Sequence, residues 1–222
     1  MVVVGLGNPG RKYCNTRHNI GFFLVDYLSD KIGVKLKKRQ GRRFKFVRTL
    51  YQDKPVTLVQ PQTYMNNSGE IIHYLLSEND CSFNDILVVC DSIDMELGSI
   101  RLRLGGSSAG NKGLASILQV LKTDRIKRIS LGVGRPKQNI SVPDYVLSRF
   151  STQEFKLLDK VAKRIEENFS VPNYVVSRFT NKEFKLLDRV AKRIGDNFSV
   201  LLSGNYEYAM NLINCKHMTK AN

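Results

Sequence analysis

Only three histidines occur in the 222 residues, and one of them, His18, stands where it could do chemistry. It lies in the polar stretch Thr16-Arg17-His18-Asn19, shortly after an apolar start to the chain. Imidazole exchanges protons near neutrality, so a histidine in such a loop can serve as a general base. A lone histidine is more often structural than catalytic, and what raises this one is its company. Asp91 directly follows the apolar run Ile86-Leu87-Val88-Val89-Cys90. Carboxyl ends of strands are where α/β sheets carry their functional groups. Asn66 and Asn67 follow the strand-like Val56–Val59 and the turn at Pro61. Their amides offer donors and acceptors without charge, as a site holding a peptide or ester requires. Capping of a loop or helix is the competing use of either one.

Two other patterns compete. Gly5-Leu6-Gly7-Asn8-Pro9-Gly10 spells the dinucleotide-binding G-x-G-x-x-G after a strand. That fingerprint needs a helix to open at once beneath the pyrophosphate, and Arg11 to Asn19 shows no helical apolar period. Gly106-Ser107-Ser108-Ala109-Gly110 spells the nucleophile elbow of serine esterases, between a strand and a helix as it should be. The base it needs downstream is available only as His217, in a polar tail. Glycine and serine also simply make a flexible connection there.

The elements that must position these residues follow from periodicity. Residues 1–6 read as a buried strand, and Ile20 opens an amphipathic helix ending near Gly33. Phe44–Leu50 and Val56–Val59 read as strands joined by the turn at Gln52-Asp53-Lys54-Pro55. Ser68–Leu76 reads as a helix, Ile86–Cys90 as a fully buried strand, and Ser99–Leu104 as a half-exposed one. A Gly/Ser loop leads into a helix over Leu114–Leu121, followed by a strand at Ile129–Val133. Strands alternating with helices predict an α/β domain.

Composition narrows the setting. No apolar run approaches the ~20 residues of a membrane-spanning helix, and the opening MVVVGLGNPG reads as a strand instead of a secretion signal. Cys14, Cys81, Cys90 and Cys215 are far apart, which speaks against a zinc site or a disulfide framework and for a reducing cytoplasm. A net charge of +15 points to a polyanionic partner, most often nucleic acid. Lys35, Lys37, Lys38, Arg39, Arg42, Arg43 and Lys45 fall within eleven residues, and Arg101, Arg103, Lys122, Arg125, Lys127 and Arg128 form a second group. Both are candidate phosphate contacts, which position a nucleic acid without reading its sequence.

The C-terminal third carries a tandem repeat. Residues 141–169 recur as 170–198, a period of 29 residues with eight differences. Each copy reads as a Pro-bearing extended arm, then a capping box (Ser151 with Glu154, Thr180 with Glu183) opening an amphipathic helix. One copy can dock in the position of a single ancestral unit, which leaves the other as an appendage or as an element exchanged between copies of the chain. Removal of either copy is therefore expected to leave a folded chain of 193 of the 222 residues.

The blocks GLGNPGRKY, TRHNIGF, PQTYMNNSG, DSIDMELG, RLRLGGSSAG and ISLGVGRP occur in the order and spacing of bacterial peptidyl-tRNA hydrolases, which the chain resembles over residues 1–150. A single copy of the repeat is similar to the family's lid segment and helix. The resemblance implies one three-layer α/β domain over 1–222, with a mixed, mostly parallel twisted sheet flanked by helices and the duplicated arm-helix unit appended. It implies hydrolysis, without metal or cofactor, of the ester joining a peptide to the 3′ ribose of transfer RNA. In that reading His18 is the general base, Asp91 its orienting partner, and Asn8 the residue that tells blocked from free aminoacyl groups. Tyr13, Tyr64 and Asn66 contact substrate along the cleft, and Arg103 meets the phosphate end of the transfer RNA. The partner is peptidyl-tRNA and no membrane, the place the cytoplasm, the role rescue of translation, and the state a monomer, with exchange through the repeat as the route to a dimer.

Two positions depart from the family pattern. Where the family often reads His-Asn-Gly, this chain has Asn111-Lys112-Gly113, so a substrate-positioning asparagine is replaced by Lys112 or shifted to Asn111. A second arginine of the family aligns with Ser130, for which nearby Arg128 is the candidate substitute. The alternative function is a weakened or inactive RNA-binding relative on the same fold, since fold does not fix function.

Overall fold

The computed structural model describes residues 1–149, apart from 52, 80, 98, 137 and 138, together with 194 and 198–214. The β-branched opening forms β1 (Val2–Gly5), followed in chain order by β2 (Lys37–Lys38), β3 (Phe44–Tyr51), β4 (Lys54–Pro61), β5 (Ile86–Ser92), β6 (Ile100–Arg103) and β7 (Lys127–Gly132). They make one seven-stranded sheet in the order β2-β3-β4-β1-β5-β7-β6. β4, β1, β5 and β7 pair in parallel at its centre, while β3 and β6 run against them, so five strands point one way. The parallel centre is buried on both faces, which explains the unbroken apolar runs at β1 and β5.

Alternation divides these strands between two cores. Val3, Leu87 and Val89 point to the layer holding α1 (Ile20–Ile32). Val2, Val4, Ile86, Val88 and Cys90 point to the layer holding α2 (Ile72–Asn79) and α3 (Lys112–Leu121). This is a three-layer α/β arrangement. α1 stops at Gly33, whose φ of 78° lies in the left-handed region that glycine enters without a Cβ penalty. Gly5 and Gly21 let α1 lie directly on the sheet: a Cβ on Gly5 would stand 2.2 Å from the carbonyl oxygen of Gly21, and one on Gly21 would stand 2.5 Å from Leu6 N and Val89 O.

Several expectations are sharpened or corrected. The helix expected over Ser68–Leu76 divides into a 3-10 segment, Met65–Ile71, and α2. The short edge strand β2 carries no apolar alternation by which the sequence would reveal it. The arm expected to be extended in the first repeat copy is instead helix α4 (Val142–Leu147). Pro143 sits in the first turn, where its missing N–H is no loss, and the Ser141 hydroxyl accepts from Asp144 N.

Two further helices, α5 (Phe198–Ser203) and α6 (Tyr206–Ile213), follow the repeat, and Leu201 and Ala209 join the α1-side core. Ile194, from the second copy, is 1% exposed in that same core. The two capping boxes, both predicted helices except Ile194, Cys215 and His217 lie outside the described residues. Among those described, no helix is long and apolar enough to cross a membrane.

Candidate active site

The carboxyl ends of β1, β4 and β5 lie side by side, and the segments that leave them build a cleft of about 500 Å³. From β1 the chain passes through the turn at Gly10–Asn15 into a 3-10 turn, Arg17–Asn19, which brings His18 to the cleft wall with 9% of its surface exposed. Asp91 near the end of β5 stands opposite, and His18 Nδ1 lies 2.7 Å from Asp91 Oδ1. Nε2 makes no hydrogen bond among the described residues. The same Asp91 oxygen accepts from Asn111 Nδ2 at 2.9 Å. Asn111 in turn caps α3, its Oδ1 accepting from Leu114 N. Asn111 lines the cleft, where it was expected to meet substrate, and beyond these two bonds its Nδ2 keeps a second N–H.

Asn8 is held from two sides. Its Oδ1 accepts from Met65 N at 2.8 Å. Asn19 grips its backbone, with Asn8 N donating to Asn19 Oδ1 at 2.8 Å and Asn19 Nδ2 donating to Asn8 O at 2.9 Å. The donor left to the cleft is therefore Asn8 Nδ2. Tyr13 and Tyr64 meet edge to face, with centroids 6.5 Å apart and ring planes at 83°. Asn66 and the exposed Lys112 complete the polar lining.

α4 forms the remaining apolar wall through Val142, Pro143, Val146 and Leu147. It is tied down by Arg17, whose Nη1 donates to Ser148 O, Ser148 Oγ and Arg149 O. The Arg17 guanidinium also stacks 4.3 Å from the Tyr145 ring centroid, and the Tyr145 hydroxyl donates to Val133 O at 2.8 Å. The sequence alone does not single out Asn19 or Arg17. Both flank His18 in sequence, yet nothing in the spacing says that one reaches back to Asn8 and the other forward to Ser148.

Eight of the nine expected site residues line this one cleft; Arg103 does not. It lines a neighbouring depression with Arg101, Arg128 and Ser130, which shares Asp91 with the cleft. Arg128, the candidate substitute at Ser130, is only 2% exposed and donates to the carbonyl oxygens of Gly105 and Ser107. It anchors the Gly/Ser loop and does not stand in for a surface arginine. Burial pushes the Cys90 thiol up to about 12, so it stays protonated next to Asp91. No helix opens at Gly10, since the chain turns there and α1 begins only at Ile20, which removes the context a dinucleotide site needs. No histidine among the described residues hydrogen-bonds to Ser108. No group of three or more His, Cys, Asp or Glu able to hold a metal ion occurs among the described residues.

Comparison with known proteins gives the family. The profile of the family described as peptidyl-tRNA hydrolase matches residues 2–171. The peptidyl-tRNA hydrolase of Persephonella marina is 45% identical over 159 residues, covering 72% of this chain and 83% of that protein. That of Geobacillus kaustophilus is 44% identical over 157 residues, covering 71% and 84%. The crystal structure of peptidyl-tRNA hydrolase from Acinetobacter baumannii superposes with a TM-score of 0.78 at 29% identity, covering 97% of this chain and 94% of that one.

Proposed function

Since the chain belongs to the peptidyl-tRNA hydrolase family, we propose that it hydrolyses the ester joining a peptide to the 3′ ribose of transfer RNA, with His18 as general base. The observation that carries this reading is the 2.7 Å contact between His18 Nδ1 and Asp91 Oδ1. A carboxylate only accepts, so Nδ1 carries the proton and Nε2 keeps its lone pair for the cleft. Nε2 takes a proton from water as the water oxygen attacks the ester carbonyl carbon. The bond to the ribose oxygen then breaks, and the imidazolium returns its proton to that oxygen. Asp91 stabilises the charged ring in between and is itself never protonated. Asn111 fixes the Asp91 carboxylate through one Nδ2 hydrogen and offers the other to substrate.

Asn8 Nδ2 is a donor for a peptide carbonyl, a group that a free aminoacyl ester lacks. The Tyr13–Tyr64 pair offers ring faces and edges on which an unpaired base can stack. Lys112 places a cation at the cleft, suited to a phosphate oxygen or to the developing oxyanion. Arg103 contacts the transfer RNA phosphates from outside the cleft.

Hydrolysis of N-acyl-aminoacyl-tRNA in H₂¹⁸O tests the scheme. Attack at the carbonyl puts the label in the released carboxylate and none in the ribose. Unhydrolysed ester, with transfer RNA still bound, would instead identify a binding relative disabled at Lys112.

A further inference from the structure

The site described so far would hold the acceptor end of the substrate, and the rest of a transfer RNA must lie elsewhere on the protein. β2 is an edge strand made of two exposed lysines, and Lys38 pairs directly with Lys45 of β3. Like charges directly opposite on an antiparallel pair repel. Between them lies the hairpin tip, Arg39 to Arg43. Arg42 and Arg43 are neutralised locally, by Glu78 and Glu70. Among the described residues Lys37, Lys38, Arg39 and Lys45 make no ion pair, although Lys45 lies within electrostatic reach of Asp26, and Lys35 of Asp30.

The sheet register fixes where this charge points. β3 runs against β4 with Phe44 opposite Pro61, so the basic hairpin tip lies at the carboxyl end of β4, the end that carries the cleft. Gln62 N donates to Arg43 O at 2.7 Å, and the Arg43–Glu70 pair fastens the tip to the segment bearing Asn66. The tip therefore stands beside the cleft, two to three strand spacings from β1, or about 10–14 Å.

We infer that the β2–β3 hairpin, through Lys38, Arg39 and Lys45, is a second docking surface for the substrate, binding backbone phosphates of the transfer RNA behind its acceptor end. The inference takes its partner from the function proposed above. Binding relieves the Lys38–Lys45 repulsion and releases counterions, so it must be salt-dependent. A lysine-rich edge also deters strand-to-strand aggregation, a role that requires no RNA.

The test is binding of deacylated transfer RNA, followed by fluorescence anisotropy against salt, for the full chain and for Lys38→Gln/Arg39→Gln/Lys45→Gln. Expected is a roughly tenfold rise in Kd near 0.1 M salt, with a log Kd–log salt slope shallower by about two to three. Single Lys38→Gln should lower the slope by about one, and Lys38→Arg/Lys45→Arg should restore parental binding. kcat on an N-acyl-aminoacyl ester of adenosine, which carries no backbone phosphate for the hairpin to bind, should not change. Parental Kd and slope in the neutralised variants would overturn the inference and leave edge protection as the use of these lysines. A reduced slope in a chain that hydrolyses neither ester would support this surface while removing the hydrolase reading.

Discussion

The Asn19 side chain makes no hydrogen bond to the proposed catalytic pair among the described residues, yet it holds both backbone groups of Asn8. The proposed use of Asn8 Nδ2 as a donor to substrate depends on that backbone and on Met65 N, which together fix the side chain. Each buried amide bond contributes about 0.5–1.5 kcal/mol, and a broken pair leaves two orphaned polar groups. Asn19→Ala should therefore destabilise the chain by about 2 kcal/mol. At a temperature where it remains folded, it should lower kcat/KM about tenfold on peptidyl-tRNA while leaving transfer RNA affinity unchanged. Asn19→Asp keeps the acceptor for Asn8 N and should recover part of the loss. Equal kinetics in Asn19→Ala would show that Asn8 does not need this support. Sequence reasoning found Asn8, His18, Asp91 and the two tyrosines because residue types in recognisable blocks carry them. It could not see the network behind them, since a side chain that grips a backbone eleven residues away leaves no periodic trace.

At the scale of elements, α4 closes one side of the cleft, and Arg17 is what holds it. Three hydrogen bonds and a cation–π contact converge on that guanidinium. Arg17→Ala should raise KM several-fold through a loosened wall, with kcat less affected, because His18 and Asp91 stay paired. Unchanged KM would mean that α4 is held by Tyr145 and Val146 alone. The strands and the main helices were legible from the sequence, since apolar runs bounded by glycine and proline have few other uses. α4 was misread because proline suggested an extended arm, whereas Ser141 and Pro143 together make a helix start. β2 escaped because two lysines on an edge carry no burial pattern.

At the scale of the molecule, the described parts of the duplication come from different copies. α4, from the first copy, docks on the cleft, while Ile194, from the second, fills the α1-side core. The contacts seen at both ends are thus compatible with one composite unit. Deleting residues 150–178, one period of 29, joins the first arm to the second helix and preserves all of these contacts. That variant should unfold cooperatively and keep parental activity. Non-coincident transitions by two probes, or a dead enzyme, would show that the intervening residues are part of the working structure.

The central claim is that His18, oriented by Asp91, is the base that frees transfer RNA. The most direct measurement is release of transfer RNA from N-acyl-aminoacyl-tRNA by the intact chain, His18→Ala and Ser108→Ala, each first shown to be folded. The account predicts that His18→Ala loses turnover by about three orders of magnitude or more, the scale on which removing a catalytic base acts. Ser108→Ala should stay within twofold of the parent. Retained turnover in His18→Ala, or its disappearance in Ser108→Ala, would contradict the account.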